Sequence, residues 1–438
     1  MTTNGTEKRP LPPGWIWTTI KEVAEVNYGK GLPKNKRDEE GEIPVYGSNG
    51  ITGYHSEPLI DGPCLIIGRK GAAGVVHYSP TACWPIDTAY YAHFRNDVFL
   101  KYAYYVFKTL ELESLDRSTA IPSLSRDDLY IQTFPLAPFS EQERIVAEIE
   151  KQFTRLDQAV ASLRRLQEQL ARYKASLLKA ACEGRLLPQD PHDEPARQLL
   201  QRILAERRAR WQAADPGKKY KEPIEVNSLD LPNLPQGWIW SNMDSLIIDG
   251  PQNGLYLPKS KYGEGTPILR IDDYQNGESR SSNQLRKVAA SQQEIQKYSL
   301  RKYDMVINRV NSPSHLGKCL VIGDKNLPSL FESNMMRMAF AKNVNPHFVE
   351  FYLQSADGRM RLISNAKWAV NQASINQGDV RITPVPLPPL AEQKRIVAEV
   401  ERRLSVVATA EAAVAANLTR SGRLRQAILH QAFNGRLV

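Results

Sequence analysis

The sequence predicts an α+β chain: two mixed α/β units, each followed by a long helix, with the helices pairing antiparallel as a coiled coil in a pseudo-twofold internal repeat. Three observations predict it. Residues 135–187, opening PLAPFSEQERIVAEIE and closing ACEGRLL, return at 386–438 as PLPPLAEQKRIVAEVE and AFNGRLV, a constant 251 positions later without a gap. LPPGWIW at 11–17 returns as LPQGWIW at 234–240, offset by 223. The stretch between opening motif and helix has therefore drifted by 28 residues while the helices held their length. Self-similarity of this kind marks one supersecondary plan used twice, here with conserved helices and divergent interiors.

The first unit, residues 1–138, carries short β-type runs (IPVYG, PCLIIG, VVHY, YIQTFPL) separated by Gly, Pro, Asn and Asp, and a helix near 98–110. The second, residues 234–388, has the same grammar in TPILRIDDY, YDMVINRV, KCLVIG, MRMAF and VRITPVPL, with helical pieces near 291–297 and 346–357. Ser123-Leu124-Ser125 and Asp128-Leu129 match Ser374-Ile375-Asn376 and Asp379-Val380 at the helix offset, so the last strand of each unit shares one geometry.

Each unit feeds a helix, at 139–185 and at 389–438. Pro138 and then Ser140-Glu-Gln-Glu143 predict a capping box for the first; Ala391 at the matching place predicts a weaker start for the second. Apolar residues run Ile145, Ile149, Phe153, Leu156, Val160, Leu163, Leu170, Leu177 in one helix. In the other they run Ile396, Val400, Leu404, Val407, Val414, Leu418, Leu424, Ile428. Spacings of mostly four and three make a seam for one long partner helix. Gly184 and Gly435 stop the two at matching points. At 1.5 Å per residue, ~44 residues extend roughly 65 Å. Pairing within the chain is the simplest arrangement; a coiled coil between chains is the alternative. The link, residues 186–233, reads as a spacer with a short basic helix near 195–213, or else as a phosphate contact through Arg207, Arg208 and Arg210.

Composition is that of a folded chain, 42% hydrophobic and 24% charged. No apolar run of about 18 residues exists to span a membrane. The first residues lack the apolar core of a signal peptide, so a cytoplasmic location is expected. Cys64, Cys83, Cys182 and Cys319 are scattered, without a Cys-x-x-Cys pair, and are expected as reduced, buried thiols. Net charge is +9, divided as −2 over 1–138 and +5 over 234–388, with the rest on helices and link. A polyanionic partner is compatible with that balance.

Catalytic signatures are missing. There is no P-loop, dinucleotide fingerprint or zinc spacing, and the seven histidines are isolated. The Asn/Asp-Pro-Pro-aromatic signature of amino-methyltransferases is absent. Glu392-Gln393-Lys394 fits a nuclease-like Glu-x-Lys, but its twin is Glu141-Gln142-Glu143, so the match is read as chance. The expectation is a protein that is not an enzyme and holds neither metal nor cofactor.

The doubled Gly-Trp-Ile-Trp openings (14–17, 237–240), the doubled Pro-Leu-x-Pro-φ-x-Glu-Gln-x-Arg-Ile-Val, the doubled Gly-Arg-Leu endings (184–186, 435–437) and IPVYGSNGITGY at 43–54 resemble, in this order, the specificity subunit of type I DNA restriction–modification systems. The resemblance covers nearly the whole chain. It implies two target-recognition domains, each binding half of a split, asymmetric site on double-stranded DNA. It also implies helices that act as a ruler and dock two methyltransferase subunits. Those partners would bring S-adenosylmethionine; motor-nuclease subunits would bring ATP hydrolysis and magnesium-dependent cleavage. The rivals are the equivalent subunit of a restriction class whose methylase and nuclease are fused, and a coiled-coil scaffold with two protein-binding heads.

Candidate DNA contacts in the first unit are Lys30, Lys34, Lys36 and Arg37 in a Gly/Pro-broken loop, Tyr46, Ser48 and Asn49 at a turn, and Arg69-Lys70 between glycines. In the second they are Lys259, Lys261, Arg270, Arg309, Asn311, Ser314, Lys318, Asn371 and Gln372. Arg presents paired donors to guanine and Asn or Gln a donor–acceptor pair to adenine, so such loops suit base reading. Arg69 and Arg309 each follow an apolar strand and precede a small-residue loop ending in Gly, and are taken as equivalent. The Trp pairs are expected as core anchors. Glu141, Gln142 and Arg144, with Glu392, Gln393 and Arg395, are expected to cap the helices and to dock partners.

If the helices set the gap between half-sites, a heptad added to both keeps the seam in phase and lengthens the rod by roughly 10 Å, equivalent to about three base pairs. Methylation of DNA libraries with randomised spacers should then shift toward the longer gap, with reduced activity because about three base pairs also rotate one half-site by roughly 100°. An active variant that keeps the original preference rejects the ruler.

Overall fold

The opening Gly-Trp-Ile-Trp begins a strand that closes each unit on itself. Ile16–Thr19 pairs antiparallel with Thr133–Leu136, and Ile239–Asn242 with Pro384–Leu387, in the same register. In the computed structural model the described residues are 10–38, 40–116, 121–214, 217, 219–226, 230–275, 277–369 and 372–438. The chain forms two units: 1–166 with 413–438, and 167–412. Each unit therefore includes one half of each long helix.

The first unit contains a four-stranded antiparallel sheet in the order Ala24–Tyr28, Ala89–Phe94, Cys64–Gly68, Val76–Ser79. A smaller sheet pairs Ile43–Gly47 antiparallel with Gly50–His55 and parallel with Trp84–Pro85. The second unit repeats both patterns. Its four-stranded sheet runs Ile247–Asn253, Met335–Phe340, Met305–Asn308, Cys319–Val321, and Tyr262–Leu269 lies between Arg286–Val288 and the parallel Leu330–Phe331. It also has a three-stranded sheet in which Gln372–Ser374 lies between Val310–Asn311 and Lys367–Ala369, where the described residues of the first unit show the isolated bridge Lys70–Ser123.

The long helices span Phe139–Cys182 and Leu390–Ala432. In the first unit Ile145 and Ile149 share a core with Ile428, Leu429 and Phe433 and with the domain residues Tyr102, Phe107 and Phe134. In the second, Leu177, Leu178 and Ala181 pack with Ile396, Val397 and Val400. Early residues of one helix meet late residues of the other in both units, so the pairing is antiparallel and within the chain. Arg425–Asp157 and Lys174–Glu411 (3.3 Å) bridge the pair. The seam is closed where a domain covers it. In the helix stretches of the first unit that no domain covers, Leu163 is half-buried and Leu166 and Leu424 are exposed.

Both helix starts depart from the expected capping. The first helix begins at Phe139 and the second at Leu390, so Ser140 and Ala391 lie inside the first turn and not at the cap. The Pro138 carbonyl accepts from the Glu141 and Gln142 N–H groups, and the Pro389 carbonyl from Gln393, so a backbone carbonyl ahead of each helix takes up first-turn N–H groups. The ends agree with each other in detail. Arg185 N–H bonds the Ala180 carbonyl (2.8 Å) and Arg436 N–H the Gln431 carbonyl (3.0 Å), around Gly184 and Gly435 at φ 66° and 65°. A Cβ on either glycine would meet Pro235 Cγ at 2.4 Å or Pro12 Cγ at 2.1 Å. The helix stop is thus fitted against the opening motif, and Trp15 and Trp238 are buried beside it as anchors.

The linking helix, Ala196–Ala214, buries Ala196, Leu199 and Ile203 in the core of the second unit. Arg207 pairs with Asp244, Arg208 with Glu222 and Arg210 with Glu206, so all three arginines are engaged by carboxylates of their own unit. All four cysteines are buried thiols. Among the described residues no helix is long and apolar enough to cross a membrane.

One buried charge pair stands out in the second unit. Arg337, 5% exposed on Met335–Phe340, donates from Nε to Asp304 Oδ2 at 2.8 Å and from Nη2 to Asp249 Oδ2 at 2.8 Å. Removing one member leaves the other charge without its partner in a low dielectric. Arg337→Met should cost about 3–5 kcal/mol by chemical denaturation, and the double replacement Arg337→Met/Asp304→Leu should cost less than the single change. A double mutant that loses more than Arg337→Met alone would refute this account.

Candidate nucleic-acid interface

The clearest shared feature is a loop that leaves the third strand of each four-stranded sheet. Gly68 N–H bonds the Val75 carbonyl (2.8 Å) and Gly74 N–H returns to the Gly68 carbonyl (2.8 Å). Asn308 and Gly317 repeat this, with Asn308 N–H on the Lys318 carbonyl (2.8 Å) and Gly317 N–H on the Asn308 carbonyl (3.0 Å). Gly74 and Gly317 have φ 82° and 75°, a conformation L side chains rarely adopt. The first residue of each loop is an arginine.

Arg69 and Arg309 are held in the same way by three contacts. Their N–H groups bond the carbonyls of Thr88 (2.9 Å) and Asn334 (2.8 Å). Their carbonyls accept from Leu124 and Ile375, both at 2.9 Å. Their guanidiniums donate to the carbonyl one residue earlier, Asp87 (2.6 Å) and Ser333 (3.2 Å). The equivalence read from the sequence is therefore a geometric one. A guanidinium tethered at one nitrogen and half-exposed at the rest is preorganised for a planar or anionic acceptor.

A second shared feature lies beside it. Lys34–Lys36 and Lys259–Lys261 each form a single 3-10 turn behind a proline, with both lysines of each pair exposed. The repeat Leu-Pro-Lys-x-Lys, at 32–36 and 257–261, was visible in the sequence as a duplication and is the signal that ties these lysines together. In the first unit the loop's Gly31 approaches Asp87, whose carbonyl holds Arg69, and the Ser48–Asn49 turn approaches Gly68 and Gly71. The Leu-Pro-Lys-x-Lys loop and the Ser48–Asn49 turn thus both come close to the Arg69 loop. Lys30 lies against the Trp84 ring, 5.8 Å from its centroid. In the second unit Asn311 sits on Val310–Asn311, the strand that pairs with Gln372–Ser374 and that Arg309 directly precedes, and Ser314 lies on the loop, where the Arg359 guanidinium holds its carbonyl and that of Pro313. Gln372 is exposed on the neighbouring strand, and Asn371 lies outside the described residues.

Other candidates point inward. Tyr46 is 7% exposed and packs with Cys64, Ile66 and Cys83, because a register shift between Val45 and Tyr46 turns consecutive residues to the core. Arg37 donates to the carbonyls of Leu32 (3.1 Å) and Thr52 (2.8 Å) and so fastens the lysine loop to a hairpin. Arg270 pairs with buried Glu332 at 3.2 Å. Lys318 donates to the Ile271 carbonyl (3.1 Å) above the Tyr274 ring, and burial lowers its pKa from the ordinary amine range. Arg37, Arg270 and Lys318 shape loops from within, and Tyr46 belongs to the core.

The helix-start residues are corrected most sharply. Gln142, 1% exposed, accepts from Phe99 N–H (2.8 Å) and donates to the carbonyls of Ala137 (2.8 Å) and Asp97 (3.0 Å). Gln393, wholly buried, accepts from Asn345 N–H (2.8 Å) and donates to the Pro388 carbonyl (3.0 Å). Phe99 and Asn345 are the N-cap residues of matching domain helices, Leu100–Phe107 and Pro346–Gln354. Each glutamine bolts a long helix to its own domain and is not available to a partner. Glu392 is buried, accepting from Trp238 Nε1 at 2.8 Å, and burial raises its pKa. Arg395 pairs with Asp193 at 2.6 Å. Of the expected docking residues only half-buried Glu141 and exposed Arg144 remain outward.

Two duplicated α/β units thus carry equivalently anchored arginine loops and exposed lysine turns, on helices with exposed apolar residues. The chain belongs to the type I restriction modification DNA specificity domain family, whose model matches residues 12–171 and 251–405. It is 24% identical over 331 residues to the type I restriction enzyme EcoKI specificity subunit of Escherichia coli K12, covering 75% of this chain and 62% of that protein. It is 25% identical over 354 residues to the StySPI specificity subunit of Salmonella potsdam, covering 80% of this chain and 66% of that one. The chain thus spans slightly less than two thirds of the length of these relatives. A solved chain from a type I R-M system has the same fold, with a TM-score of 0.65 at 19% identity over 98% of this chain and 100% of that one.

Because each glutamine oxygen takes up a buried domain N–H, Gln142→Ala and Gln393→Ala should each cost about 2–3 kcal/mol by leaving that N–H unbonded. Chemical denaturation measures this. Loss below about 0.5 kcal/mol in both would show that the bolt does not hold the domains.

Proposed function

We propose that this chain is the DNA-reading subunit of a type I restriction–modification enzyme. Each α/β unit contacts one half of a bipartite, asymmetric double-stranded site through its arginine loop and its Leu-Pro-Lys-x-Lys turn. The observation that carries this reading is the pair of loops at Arg69 and Arg309: identically anchored, but with five residues between the backbone anchors in one and eight in the other, and with unlike side chains. A common base with divergent tips fits two readers of different sequences. Arginine can take guanine O6 and N7 together, while the exposed lysines supply phosphate contacts.

The subunit makes and breaks no covalent bond itself. It docks two methyltransferase subunits, which carry S-adenosylmethionine, and motor-nuclease subunits that carry ATP and magnesium, all in the cytoplasm. What supports docking on the helices is their apolar surface at Leu163, Leu166 and Leu424, which the chain's own domains leave uncovered. A duplicated chain offers two like faces to two identical partners.

The complex with its methyltransferase should retard a duplex carrying the methylation-mapped site in a gel-shift assay. Arg69→Ala and Arg309→Ala should each lower discrimination at one half-site only, by about 1–3 kcal/mol per lost bidentate contact. Equal loss at both halves from either change would refute the assignment of loops to separate half-sites. No retardation of the mapped site by the wild-type complex would refute DNA reading itself.

A further inference from the structure

The α/β part of the first unit, residues 1–138, is net acidic, at −2, yet the reading above requires it to hold a polyanion. One place in it concentrates positive charge without compensation. Tyr28, at the end of Ala24–Tyr28, is 50% exposed, and two guanidiniums lie against its ring: Arg69 at 5.1 Å and Arg126 at 5.2 Å from the centroid. Tyr90, 5.2 Å away and anchored through its hydroxyl to the Leu124 carbonyl, backs the ring. Among the described residues neither arginine has an ion-pair partner. Arg126 Nε is shielded from solvent without a hydrogen bond, so its terminal amino groups are the part free to reach a ligand.

Two like charges gathered on one ring repel each other, and the ring's quadrupole offsets only part of that cost. The base edges in the grooves of DNA are neutral, whereas each backbone phosphodiester brings a full negative charge. At the position matching Arg126 the second unit has Gln377, and that unit is net positive. The additional arginine thus occurs in the unit whose charge is deficient.

We propose that Arg126, steered by the Tyr28 ring, binds a DNA backbone phosphodiester beside the base contacted by Arg69. Arg126 is the ligand-binding group and Tyr28 the positioning residue that keeps both guanidiniums in place. The inference rests on the DNA-reading function proposed above and adds to it a sequence-independent anchor confined to the first half-site.

The test uses the full chain in complex with its methyltransferase and the methylation-mapped duplex. Arg126→Gln installs the glutamine that the second unit already carries at the matching place, so a folded protein is expected, and retained preference at the second half-site checks it. The affinity should fall about 3- to 10-fold without any change in base preference, and the slope of log affinity against log salt should drop by about 0.9. Tyr28→Phe should leave both quantities unchanged, whereas Tyr28→Leu should reproduce Arg126→Gln. Duplexes with single neutral methylphosphonate linkages locate the contact: one linkage in the first half-site should weaken wild type several-fold and leave Arg126→Gln indifferent. Wild-type affinity and slope in Arg126→Gln would overturn the proposal, as would an unchanged slope with altered preference at one base pair. Failure of the wild-type complex to bind the mapped site would overturn the function on which it rests, a result distinct from either.

Discussion

A single buried glutamine side chain, used twice, joins what varies in this molecule to what does not. Gln142 and Gln393 each bridge the carbonyl just before a long helix to the N-cap of a domain helix. The bond set closes inside the protein, away from competing water, where an unmade hydrogen bond costs more than a made one gains. Everything the loops do depends on this joint, because an arginine tip is only as well placed as the sheet that carries it and the helix that carries the sheet. Around the joint, the opening tryptophans and the helix-stop glycines are fitted to each other, which explains why those short motifs persist in both copies while the interiors diverged.

The two units solve one electrostatic problem with different means. The second has charge to spare and buries some of it, holding Arg337 between Asp304 and Asp249 and Arg270 against Glu332. Its cationic surface is left to the lysine turn, Arg309 and the added three-stranded sheet. The α/β part of the first, residues 1–138, is acidic and gathers at Tyr28 two arginines that have no ion pair among the described residues. Net charge alone is a poor guide to binding by either unit, because what a polyanion would meet is the local density of uncompensated cations.

Much of the fold was legible in the sequence because duplication reports architecture directly. An ungapped repeat in the helices, a shared opening motif and divergent interiors leave few arrangements open, and the matched strand registers follow from them. The arginine loops were legible for the same reason: an apolar strand, an arginine, small residues and a glycine recur in order. What was not legible depended on which way side chains face. Glu-Gln-x-Arg repeats equally well whether it points out to a partner or in to its own domain; only the packed domain helix decides, and it decided inward for Gln142, Gln393 and Glu392. Tyr46 was misplaced by a strand irregularity that alternation cannot foresee. The Tyr28–Arg126 contact joins residues far apart in sequence and carries no local signature.

The anchoring of the arginine loops has a consequence for how such a protein can change. The same two backbone bonds close a short loop in one unit and a longer one in the other, with a left-handed glycine as the last hinge in both. Insertion or deletion between those anchors leaves the sheet's hydrogen bonds intact, so the entropic cost of extra length is small. The loop is therefore a cassette whose contents can be rewritten, in length as well as in residue type, while the frame that aims it stays unaltered. If the loops read DNA as proposed, a new preference could arise there by small local insertions, without passing through an unfolded intermediate sequence.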